Sequence, residues 1–133
     1  MHRLSLLPFA MGVVLLASGC GGEPATEPTI AIHYSRFTPG VLEVPVGRPV
    51  TFTLRNDDPI EHEWIVGPSD IHEVHRAGTE AFHGELPTEV TVPAFSVRET
   101  TVTFDQAGTY AYICHLPGHE AYGMVGTLRV VEA

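Results

Sequence analysis

The chain reads as an all-β protein, a Greek-key antiparallel β-sandwich of about seven or eight strands with one long loop. Three observations predict it: apolar residues alternate with polar ones at period two, turn-forming segments recur between these runs, and no strong helical period appears. Taken in order, Ile30 and Ile32 mark a first strand, Leu42, Val44 and Val46 a second, and Val50, Phe52 and Leu54 a third. Thr38-Pro39-Gly40, Val46-Gly47-Arg48-Pro49 and Asn56-Asp57-Asp58-Pro59 separate them with residues that pre-set or relax the backbone for a turn. Further strands are expected at Glu63 to Val66, Glu89 to Val92, Val97 to Phe104, Thr109 to Cys114 and Met124 to Val131, with Gln106-Ala107-Gly108 as the turn before Thr109. Short strands at such spacing suit two sheets packed face to face. From Gly67 to Pro87 the alternation stops and polar residues dominate, which predicts a long loop with room for one helical turn around Ser69 to Val74.

The 133 residues suffice for one domain, and a hydrophobic content of 44% with 17% charged residues supplies a core and excludes whole-chain disorder. A formal net charge of -9, with seven arginines and no lysine, argues against nucleic acid or an anionic membrane surface as partner. Both need clustered cations to displace counterions.

Residues 1–19 have the layout of an export signal: a positive start at Arg3, an apolar run from Leu4 through Leu16, and small residues before Cys20. The run is broken by Pro8 and falls short of the roughly 20 residues that cross a bilayer. Leu16-Ala17-Ser18-Gly19-Cys20 resembles the bacterial lipobox, in which the cysteine is lipidated and becomes the first mature residue. The chain is therefore expected to be exported and held by lipid on Cys20 to the bacterial membrane, facing periplasm or cell exterior. Residues 20–28, rich in Gly, Pro and Glu, read as a flexible tether, and 29–133 as the folded domain.

The chemistry concentrates in Cys114-His115-Leu116-Pro117-Gly118-His119-Glu120-Ala121-Tyr122-Gly123-Met124, where cysteine, histidine and methionine stand with four residues between each pair. A thiolate ending one strand, an imidazole in the next loop and a thioether starting the following strand converge on one ion when the loop returns the chain beside itself. Thiolate with thioether selects a soft metal, and two histidines, one cysteine and a weak axial methionine make a blue copper site. The second histidine must come from elsewhere, and His62, in Glu61-His62-Glu63-Trp64, is the best candidate.

On these residues the chain resembles the cupredoxins, the small blue copper proteins that include azurin, plastocyanin and auracyanin. Cys114 to His119 and His62-Glu63-Trp64 are similar to azurin, whereas the spacing to Met124 and the Gly123-Met124-Val125-Gly126 tail are similar to plastocyanin and auracyanin. The resemblance implies His62, Cys114 and His119 as equatorial ligands and Met124 as the long axial one, with one copper per chain. It also implies backbone N–H groups of Glu63 and Leu116 on the Cys114 sulfur, a corner tyrosine at Tyr110, and electron exit through His119 at an edge formed by Leu116, Pro117, Ala121 and Tyr122. The expected function is single-electron transfer between a redox donor and an acceptor in the cell envelope, by a monomer that is not itself an enzyme. The alternative is a copper chaperone, store or scavenger.

Other histidines have plainer readings. Strand alternation turns His115 away from the side that Cys114 faces, toward the surface. A multicopper oxidase would need a histidine in place of Ile113 and His-x-His pairs, which the chain lacks. His72, His75 and His83 read as solvated loop residues, with a second metal site formed by the three as the sharper alternative.

Overall fold

The computed structural model describes residues 24–79 and 86–132. The chain runs through β1 (Thr29–Ile32), β2 (Phe37–Thr38), β3 (Val41–Pro45), β4 (Pro49–Asn56), β5 (His62–Gly67), α1 (Ser69–Ala77), β6 (Glu89–Val92), β7 (Val97–Thr103), β8 (Gly108–Ile113) and β9 (Val125–Val131). One sheet has the order β2-β1-β4-β7 and the other β3-β9-β8-β5-β6, so the expected sandwich is present. Two pairs inside it, β1 with β4 and β3 with β9, are parallel. Their partners are separated by an excursion into the opposite sheet, not by a tight hairpin, and only the latter enforces antiparallel pairing.

The alternation that predicts the strands also fills the core. Val50, Phe52 and Leu54 of β4 are fully buried and meet Trp64, Tyr112 and Leu128 of the other sheet in one cluster. The Phe52 and Trp64 rings lie 4.8 Å apart. Tyr110 closes the turn before β8 by donating its hydroxyl to the Gln106 carbonyl at 3.0 Å, as a corner tyrosine should. Tyr112 lies against Gly126, where an added Cβ would collide with its ring, and donates its hydroxyl to the Pro39 carbonyl at 2.6 Å.

Two expectations need correction, and one strand goes unpredicted. The segment after Gly67 forms a nine-residue helix, not a loop with one turn. Its inward face carries His72 and His75, so a search for apolar periodicity passes over it. Its end is nevertheless well marked: Gly78 is left-handed at φ 62°, and the N–H groups of Gly78 and Thr79 return to the carbonyls of His75 and Val74. The two-residue strand β2 is too short to show alternation. The expected tether of residues 20–28 is bound into the sandwich over its last part, because Ala25 donates to the Glu43 carbonyl while Thr26 and Pro28 accept from Thr51 and Thr53. Cys20 and the signal segment lie outside the described residues.

Candidate metal centre

His62 opens β5, Cys114 follows β8 directly, and His119 and Met124 lie on the link from β8 to β9. Adjacent strands β5 and β8 therefore bring residues 62 and 114 to the same end of the sheet. The link is folded so that the backbone N–H of Cys114 donates to the Met124 carbonyl at 3.2 Å and that of Met124 to the His119 carbonyl at 3.0 Å. One ligand atom each from His62, Cys114 and His119 falls within 4.8 Å of the others, the single such group among the described residues. His119 Nδ1 stands 3.2 Å from His62 Nδ1 and 3.3 Å from Cys114 Sγ. His62, Cys114 and Met124 are fully buried, and His119 is half-buried at the rim.

The surroundings fit these donors to a metal. Burial pushes the Cys114 thiol up, an effect partly offset by N–H groups of Glu63 and Leu116 directed at its sulfur. The Glu63 donor lies 3.4 Å away, which matches the bond expected from the sequence. Burial pulls His119 below the ordinary imidazole range, with a smaller push from His62, so the His119 ring is neutral and offers a lone pair at neutral pH. Two imidazole nitrogens and one cysteine sulfur on a common point, with a buried methionine beside them, form a donor set suited to copper.

Asn56 braces the His62 turn, with its side-chain amide directed at the carbonyls of Ile60, Val92 and Pro93. Sequence reading missed Asp58, whose Oδ2 lies 2.9 Å from His62 Nε2. Burial raises the Asp58 carboxyl, but N–H groups of Ser35, Tyr34 and His62 outweigh it and hold the group below its usual range. An acid four residues before a candidate ligand in a turn is the only signal the sequence carries for it.

The remaining histidines depart from expectation. His72 and His75 are 2% and 9% exposed, not solvated, and the His115 side chain is 5% exposed, not on the surface. Alternation does direct His115 away from Cys114, but α1 covers that side. His72 Nδ1 lies 2.9 Å from His115 Nε2, and the rings of His75 and His115 stack with centroids 5.3 Å apart. Glu120, next to His119, faces His115 and is clamped by the Arg76 guanidinium of α1 through three contacts of 2.6 to 3.1 Å. The helix thus braces the link that carries His119. Among the described residues His72 and His75 belong to no group of three ligand atoms, and His83, the third member of the alternative second metal site, lies outside those residues.

A two-sheet sandwich with a buried cysteine and two histidines at one end defines a small copper protein of the cupredoxin class. The chain belongs to the plastocyanin/azurin family of copper-binding proteins, whose pattern matches residues 27–131. It is 34% identical over 99 residues to the copper-resistant cuproprotein CopI of Rubrivivax gelatinosus, a match covering 71% of this chain and 59% of that protein's length. Auracyanin-A of Chloroflexus aurantiacus is 31% identical over 137 residues, covering 83% of this chain and 85% of that one. The crystal structure of dithionite-reduced auracyanin from Roseiflexus castenholzii superposes with a TM-score of 0.71 at 21% identity, covering 82% of this chain and 99% of that one.

Proposed function

We propose that the protein is an exported, lipid-anchored electron carrier in which His62, Cys114, His119 and Met124 hold one copper ion. One observation carries the reading: the donors are buried except for His119, which reaches the rim where Pro117, Ala121 and Tyr122 are exposed and Leu116 is half-buried. A buried centre with a single imidazole near the surface admits electrons while excluding ligands. The bound copper supplies a one-electron Cu(II)/Cu(I) couple. The protein's part is to keep the four donors in place as the charge changes: the Asn56 and Asp58 contacts hold the His62 turn, Arg76 holds the His119 link through Glu120, and the Glu63 N–H group stabilises charge on the Cys114 sulfur. The apolar rim suits brief docking of a donor and then an acceptor.

Copper handling without electron transfer is the second reading, favoured by the relative whose name records copper resistance. Metal analysis combined with electrochemistry separates the two. The carrier reading expects one tightly held copper per chain and a reversible one-electron potential. Several labile coppers without a reversible potential would favour handling.

A further inference from the structure

Asp58 is buried, with its side chain 6% exposed, and every group that its carboxylate meets offers nitrogen. Oδ1 accepts from the Tyr34 N–H at 2.7 Å, and Oδ2 accepts from the Ser35 N–H at 2.8 Å and meets His62 Nε2 at 2.9 Å. His33 Nδ1 stands 3.5 Å from Oδ1, on a side chain that is 54% exposed. The carboxylate cannot drift, because its own backbone is pinned at both polar atoms: the Asp58 N–H donates to Asn56 Oδ1 at 3.0 Å, and the Asp58 carbonyl accepts from the Phe95 N–H at 3.1 Å. Two oxygens serving three donors require an acceptor-only group. Asparagine, whose amide replaces one oxygen by NH2, would set donor against donor.

A neutral imidazole carries one proton, and a carboxylate 2.9 Å from Nε2 draws it there. Nδ1 is then the bare nitrogen, and it is the one turned toward His119 Nδ1 at 3.2 Å. We infer that Asp58 is a positioning residue of the metal centre, one that holds His62 in the Nε2–H tautomer with Nδ1 free for the metal and whose fixed negative charge favours Cu(II) over Cu(I). The inference rests on the proposed copper site and adds to it a residue that sets the potential. A carboxylate hydrogen-bonded to a metal-ligating imidazole raises the basicity of the ligand, which stabilises the more highly charged ion.

The test is the reduction potential of copper-loaded Asp58→Asn against the wild-type protein. With the charge removed, the couple is expected to move at least tenfold toward Cu(I), a rise of about 59 mV for one electron, with a blue band still present. A blue, folded Asp58→Asn protein with the wild-type potential would overturn the inference. A second measurement needs no variant. Nitrogen-15 NMR of the wild-type metal-free protein should show the His62 proton on Nε2 and none on Nδ1, and the opposite tautomer would refute the assignment. If the wild-type protein has no reversible couple, the carrier reading fails, while the tautomer measurement still decides the role of Asp58.

Discussion

Asn56 illustrates how single side chains hold the centre in place. Its amide is directed at three carbonyls from two separate segments, and its Oδ1 accepts the Asp58 N–H. Asn56→Asp would set a carboxylate against those carbonyls and should destabilise the fold by about 2 kcal/mol or more, beyond the cost of Asn56→Ala, as measured by urea denaturation of the metal-free protein. Gly126→Ala should cost about 1 to 3 kcal/mol in the same assay, because its Cβ enters the Tyr112 ring. At this scale the centre itself is largely legible in the sequence. Cys114, His119 and Met124 lie on one short link, so their spacing alone announces a site. Asp58 is not legible, because its partners Tyr34 and Ser35 stand 24 and 23 residues away and meet it only after β1 and β4 have paired.

Among the elements, α1 departs most from the expectation, and it also makes the stability depend on pH. It buries His72 and His75 over the outer side of the link, against His115. Burial, helped by His72, pulls His115 from 6.5 down to about 4, and burial lowers His72 as well. Between those two values the unfolded chain binds more protons than the folded one, so stability rises with pH and is lost on acidification, the loss being complete below about 4. Denaturation of the metal-free protein across this window should show a loss on the order of 3 kcal/mol from His115 alone. His115→Asn should flatten the dependence. The strands were readable because their buried faces are apolar at period two; the helix was not, because its buried face is polar and is satisfied only by tertiary partners.

Across the whole molecule, the sandwich holds together without a disulfide among the described residues, where Cys114 is the free cysteine. Copper should therefore contribute visibly to stability: at a free concentration of 100 times Kd the gain is about 2.7 kcal/mol, read as a rise in Tm when copper is added. The net charge of -9 should speed encounter with a positively charged redox partner. Electron-transfer rates with such a partner should fall steeply as salt is raised, and a salt-independent rate would show that charge plays no part in docking. The central claim, that Cys114 is a copper thiolate at the end of this sandwich, is tested most directly by the visible spectrum of the oxidised, copper-loaded protein. An intense blue charge-transfer band that disappears in Cys114→Ser is the expected result. A colourless copper complex, or a band that survives Cys114→Ser, would contradict the account.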